Sequence, residues 1–256
     1  MLNAILNSKS GRLHADAEQV IRWRHLFRAN EDLVTATVLE RLSYLDGATA
    51  WGLLVEASAG QLPMYRVADI KDIEFWPMWA STERSIGVEP DVFISLELGD
   101  PVRKIHVILE AKHGGGFQNE WQWRSEIHAW FEGISAEERE IPDQLIFLAV
   151  GGLIEIPKRS AFREKFLRDI RVEFPSLPEL LIAMISWDDL ARACEMTNPS
   201  ERHQFRIVRD MQLGLELFGF FHRVTPTQLE SLQPLKDPLS SLSGLMNASA
   251  LFSKQV

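Results

Sequence analysis

The sequence predicts an α/β fold: a mixed central sheet flanked by helices. Two observations carry this. In the second half of the chain, short apolar runs alternate with amphipathic segments, the pattern of parallel strands joined by helical crossovers. Ahead of them, two runs rich in Val, Ile and Leu, residues 88–98 and 103–111, flank Leu98-Gly99-Asp100-Pro101. That tetrapeptide is a turn signal, so the two runs read as an antiparallel pair and the sheet is mixed. A chain of 256 residues, 46% of them hydrophobic, suffices for one full core with a small appendage.

In chain order, residues 16–28 read as a helix, with Val20, Trp23 and Phe27 recurring at spacings of three and four. Asn30 suits an N-cap, and Glu31 and Asp32 favour the first turn of a second helix. That helix runs to about Leu45, with Val34, Val38, Leu42 and Leu45 as its apolar stripe. Residues 49–57 add another helix. Residues 70–79, with Ile73, Phe75 and Trp76, suggest a strand before Pro77. After the hairpin, residues 118–132 read as a helix and 144–150 as a buried strand ended by Gly151-Gly152. An amphipathic helix over 158–171, a strand over 180–187 and helices at 188–196 and about 200–222 complete the domain, 1–224. From 225 to 256 the composition shifts to Ser, Leu, Pro and Thr, and leucines recur at Leu229, Leu232, Leu235, Leu239, Leu242 and Leu245. This appendage reads either as a docking element for a partner or another copy of the chain, or as a loosely ordered tail.

The formal net charge of −9 argues against a broad basic surface that grips nucleic acid by bulk electrostatics. It leaves room for clustered carboxylates around a metal and for a narrow basic groove. The single cysteine, Cys194, excludes a disulfide scaffold and a thiolate zinc site, and reads as a buried helical thiol. The first residues, MLNAILNSKSGRLH, lack the apolar stretch of a signal peptide. The most apolar segment, 145–154, is shorter than the roughly 20 residues that span a bilayer. A cytoplasmic location without membrane contact is expected.

The chemistry concentrates at Glu89-Pro90-Asp91-Val92-Phe93-Ile94 and Ile108-Leu109-Glu110-Ala111-Lys112. Alternate side chains of a strand share a face, so Glu110 and Lys112 point the same way. An acid and a lysine that end an otherwise apolar strand need pairing or a metal. Asp91 opens the preceding strand, and a hairpin brings it beside Glu110. Two carboxylates at one point suit Mg²⁺, which keeps several waters and takes one or two carboxylates. Such an ion activates water and neutralises charge on a phosphate. A lysine beside it can orient the attacking water or stabilise the developing charge, or it can simply pair with Glu110.

Pro90-Asp91, eighteen residues, then Glu110-Ala111-Lys112 resembles the PD-(D/E)XK nucleases, the restriction-endonuclease-like superfamily. The resemblance covers roughly residues 30–190. It implies a restriction-endonuclease-like mixed sheet, with Asp91 and Glu110 holding Mg²⁺ (or Mn²⁺ in its place), Ala111 contributing through its main chain, and Lys112 catalytic. Asn30-Glu31-Asp32-Leu33-Val34-Thr35 further resembles the opening helix of a bacterial, defence-associated subgroup with a downstream glutamine. In that frame Glu31 is the helix acid near the metal and Glu40 its rival; each also has an ordinary structural use, Glu31 at a helix N-terminus and Glu40 in solvent.

Gln122 and Glu126 lie four apart on one helix face. Gln122 either positions a water or the DNA backbone, or makes a structural hydrogen bond. Trp123, Ile127, Trp130 and Phe131 form a core stripe, which leaves Trp121 as the aromatic side chain for contact with nucleic acid. His113-Gly114-Gly115-Gly116 reads as a flexible connection or a loop open to a phosphate, and His113 as structural. No histidine metal motif, serine-hydrolase signature or dinucleotide fingerprint occurs.

The expected activity is Mg²⁺-dependent cleavage of DNA, in defence against foreign DNA by analogy with the subgroup. Cutting both strands with one site per chain favours a homodimer. The alternatives are a nuclease-fold subunit that mainly binds protein or nucleic acid within a complex, and an RNA nuclease.

Overall fold

The computed structural model describes residues 12–14, 20–22, 30–81, 87–136, 140–153 and 158–221. The chain divides after His222, and the described residues all belong to the unit Met1–His222. The leucine-rich appendage lies outside the described residues.

The first element departs from the helix expected over 16–28. Val20–Arg22 is instead a strand, β2, paired antiparallel with β1, Arg12–His14. The β-branched pair Val20-Ile21 suits this ladder, and Trp23 and Phe27 lie outside the described residues. Helix α1, Glu31–Val38, begins at the expected cap: the Asn30 side chain accepts a hydrogen bond from the Leu33 amide at 3.3 Å. It does not continue as α-helix to Leu45 but tightens into a 3₁₀ segment, Leu39–Tyr44. There the Arg41 guanidinium donates to the Thr37 carbonyl, the acceptor that a further α-turn would need. Val34, Val38, Leu42 and Leu45 are all buried as their spacing predicts. Helix α2, Gly47–Ala57, starts at Asp46, whose carboxylate accepts from the Thr49 amide at 2.7 Å.

Five strands form the central sheet in the order β3-β4-β5-β6-β7: Ala68–Phe75, Val92–Leu98, Arg103–Ala111, Gln144–Val150 and Glu179–Ile185. The first two pairings are antiparallel and the last two parallel, so the sheet is mixed and the fold is α/β. β6 is buried along its whole length, as a central parallel strand must be. Helices α3, Glu120–Ala136, and α4, Arg159–Glu173, make the crossovers between β5, β6 and β7. Helices α5, Trp187–Met196, and α6, Arg202–Phe218, follow β7. A capping box between Ser186 and Asp189 starts α5. The left-handed Gly219 ends α6.

Alternation along the strands sorts the core into two layers. Ile94, Leu96, Val107, Leu109, Ile146 and Leu148 pack against α1, α2, α5 and α6. Ile108, Leu145, Phe147 and Ile182 pack against α3 and α4 through Trp123, Ile127, Trp130, Phe166 and Ile170. Cys194 is buried on α5, and burial pushes its thiol up to about 12, away from the reactive thiolate. Among the described residues no helix is long and apolar enough to cross a membrane.

Candidate functional site

The site grows from the β4–β5 pairing. Val92 lies opposite Leu109, so one further step along the antiparallel register sets Asp91 opposite Glu110. Residues so placed have Cβ atoms about 4.5–5.5 Å apart. Both belong to the face that carries Phe93 and Ile108, the face toward α3. The two carboxylates expected to lie side by side therefore share one side of the sheet. Asp91 Oδ2 accepts from the Ala111 amide at 2.7 Å, which ties the start of β4 to the end of β5.

Lys112 follows at the same end of β5. Its ammonium is hydrogen-bonded to Glu110 Oε1 and lies 3.2 Å from Glu31 Oε1. Glu31 Oε2 accepts from the His113 amide at 2.7 Å. Of the two rival helix acids, Glu31 thus reaches the cluster. Glu40 does not: it is exposed on the 3₁₀ segment and accepts from the Tyr44 hydroxyl at 2.7 Å. From the opposite helical layer, Gln122 Nε2 donates to Glu110 Oε1 at 2.6 Å.

The loop after Lys112 is built for close approach. Gly151 and Gly152, at φ 69° and 61°, carry the chain past Lys112, and a Cβ on either would collide with Lys112 atoms. Gln118 donates to the Glu110 and Gly151 carbonyls at 3.0 and 3.2 Å. Its own carbonyl oxygen accepts from the Trp123 indole at 2.8 Å. Trp187 donates its indole N–H to the Lys112 carbonyl at 2.9 Å. His113 turns to the other side of the sheet, edge-on to Phe218 and Phe220, which fits its structural reading. Trp121 and Phe117 are exposed beside the loop.

Three residues of this site were given no role by sequence. Gln118 and Trp187 had no signal beyond their polarity. Glu126 did have one, its place four residues beyond Gln122. It is fully buried on α3, where its carboxyl group meets that of Glu110 and the Gln122 amide; no protein N–H donates to Glu110 Oε2.

Burial dominates the electrostatics. It pushes Asp91 up to about 7, with the adjacent Glu110 adding to the shift and the Ala111 amide opposing it. Glu110 is raised by burial, against the pull of Lys112. Glu126 is raised well above the usual carboxylate range by burial and by Glu110. Burial disfavours the Lys112 ammonium, yet Glu110, Glu31 and Asp91 outweigh it and raise its pKa.

The donor set suits a hard cation. Asp91, Glu110 and Glu31 offer carboxylate oxygens, and no protein N–H reaches the buried Glu110 Oε2. Among the described residues no three acidic, histidine or cysteine side chains already converge as a complete ligand set. A Mg²⁺ ion that keeps several waters needs only one or two carboxylates, so the residues fit it.

Over 210 residues the chain is 27% identical to an uncharacterized protein of Pasteurella multocida (strain Pm70), a span covering 80% of this chain and 74% of that one. No family model and no solved structure matches.

Proposed function

We propose that this chain is a metal-dependent nuclease of the PD-(D/E)XK type that hydrolyses DNA phosphodiester bonds. One observation carries the reading: Asp91 and Glu110 are cross-strand neighbours on one face, with the Lys112 ammonium bonded to Glu110. Asp91 and Glu110 would hold the divalent cation, with the Ala111 carbonyl and Glu31 as the further oxygens at hand. Bound there, Mg²⁺ supplies Lewis acidity, making water a better nucleophile and neutralising charge on the phosphate.

The chain's own residues do the rest. Lys112 donates from a position where its charge is held by three carboxyl groups, so it stays protonated and can orient the attacking water or stabilise a phosphate oxygen. Gln122 holds Glu110 in one rotamer from α3. Gly115 in the loop after Lys112, where an added Cβ would meet nothing within 4 Å, leaves room for a backbone phosphate. Lys158 and Arg159, both exposed, open α4 beyond the end of β6 whose last residue pairs with Ala111. They offer local positive charge on a chain of net charge −9. A role in defence against foreign DNA follows only from the resemblance of the opening helix.

The test is incubation of the purified protein with plasmid and linear DNA, with and without Mg²⁺ or Mn²⁺, beside Asp91→Asn and Glu110→Gln. Cleavage that needs the ion and is lost in both variants is the expected result. Intact DNA under all conditions would remove the assignment, and cleavage of RNA alone would change the substrate.

A further inference from the structure

Glu126 has no part in the chemistry described so far, yet it is a carboxyl group with no exposure at all. It is completely buried on the face of α3 that meets β5. The rest of that face is apolar: Trp123, Ile127, Trp130 and Ile134 fill the layer around it. A carboxylate in such surroundings costs several kcal/mol as a charge, and the polar groups beside it are Glu110 and Gln122. Its neighbour across the interface, Glu110, has one buried oxygen, Oε2, that no protein N–H reaches. The Gln122 amide is directed to Glu110 Oε1 and also lies against Glu126.

The charges around this point do not balance. Asp91, Glu110 and Glu31 share the Lys112 ammonium, and Glu126 adds a fourth carboxyl group behind Glu110. Lys112 engages Glu110 through Oε1 and Glu31 through Oε1, which leaves the buried Glu110 Oε2 and the Glu126 carboxyl group to each other, two acids that a shared proton joins in the metal-free protein. Two adjacent, desolvated carboxyl groups of this kind are what a hard divalent cation recruits, displacing the proton between them.

We propose that Glu126 is a further ligand of the cation in the proposed nuclease centre, sharing it with Glu110 through Glu110 Oε2. The inference rests on that reading of the site and adds a carboxylate from α3 to those carried by the sheet. It gives α3 two tasks one helical turn apart. Gln122 fixes one oxygen of Glu110, and Glu126 closes on the cation at the other. It also accounts for a buried acid where a leucine would pack at far lower cost.

The test is Mn²⁺ binding, followed by titration calorimetry and by the rise in melting temperature over EDTA, for wild type, Glu110→Gln, Glu126→Gln and Glu126→Asp. Even partners outside the ligand shell typically contribute about 10–100-fold in metal affinity. Glu126→Gln should therefore fold in EDTA and bind Mn²⁺ at least about tenfold more weakly. Glu126→Asp, which keeps the charge but shortens the reach, should fall between it and wild type. Crystals of the wild-type protein soaked in Mn²⁺ give a readout independent of any variant: the anomalous peak should lie at ligand distance, about 2.1 Å, from a Glu126 oxygen. Wild-type Mn²⁺ affinity in Glu126→Gln, with binding lost in Glu110→Gln, would overturn this inference and leave the nuclease reading standing. A peak bound by Glu110 and remote from Glu126 would do the same. Failure of the wild-type protein to bind Mn²⁺ at all would overturn both.

Discussion

Replacing Lys112 with alanine separates its two roles, because the fold and the chemistry respond to it differently. The ammonium is 15% exposed and its partner Glu110 only 2%. Removing one member of a buried pair leaves an uncompensated charge and costs about 3–5 kcal/mol. For a domain of this size about 1 kcal/mol moves the melting temperature by 2–4 °C, so in EDTA Lys112→Ala should melt roughly 6–20 °C below wild type. A proton on Glu110, whose pKa burial raises, can relieve the loss, and the deficit should therefore shrink as the pH falls. Magnesium should relieve it too. The ion supplies the missing positive charge and no longer competes with an ammonium for Glu110 Oε1, and at a hundredfold excess over its Kd it adds about 2.7 kcal/mol. Cleavage should not recover with stability, and should stay down by a factor on the order of 10² or more, the loss seen when one donor to the transition state is removed. Differential scanning fluorimetry in EDTA and in Mg²⁺, run beside plasmid nicking, reads both effects. An unchanged melting temperature in EDTA would refute the paired-charge account, and near-wild-type nicking would refute a catalytic Lys112.

Asp91 predicts a pH dependence of the metal-free protein. Its pKa in the fold is about 7 against an ordinary 3.8, so the folded state holds the proton more tightly. The associated stability is complete below about pH 4 and is lost as the pH rises through about 7, by at most about 4 kcal/mol. Melting in EDTA should fall across that interval and flatten in Asp91→Asn; a flat wild-type profile would contradict the burial argument. Glu31→Gln keeps an acceptor for the His113 amide but removes the charge beside Lys112. It should fold normally and bind Mn²⁺ more weakly, whereas a variant that only melts earlier would reduce Glu31 to a helix-terminus residue. Gly151→Ala places a Cβ against the Lys112 carbonyl and the Trp187 indole at φ 69°. Strain of this kind costs on the order of 1–3 kcal/mol before the collision is counted, which urea denaturation would reveal; an unchanged midpoint would mean that the turn relaxes freely.

The parts of this structure that sequence predicted are those with a period or a cap. The β4–β5 hairpin, the buried strand β6, the Asn30 cap and the stripe Val34, Val38, Leu42, Leu45 all follow local rules that the final packing left intact. The pairing of Asp91 with Glu110 was readable for the same reason, since a hairpin is local. Residues 16–28 misled because spacings of three and four occur by chance in a short segment, and pairing with β1 decided the state of Val20–Arg22. The choice between Glu31 and Glu40 depended on where α1 passes the end of β5, a tertiary fact with no periodic signature. Glu126 was placed on the face of Gln122 by its spacing but given no role, because its burial appears only once the helix is docked. Its partner across the interface is sixteen residues away in sequence and on another element.

The cluster is also a seam. Helix α1 belongs to one layer and α3 to the other, and at the end of β5 a residue from each meets the same short stretch, Glu31 on Lys112 and Gln122 on Glu110. Hairpin residues alone make half a site; the other half exists only while both layers are seated. A partial opening of either layer, well short of unfolding the sheet, would dismantle the acid–lysine arrangement. Slowed amide exchange of Ala111, Lys112 and His113 would then report the closure of two separate interfaces at once, and ligand binding at this point would tighten helices that do not otherwise share a face.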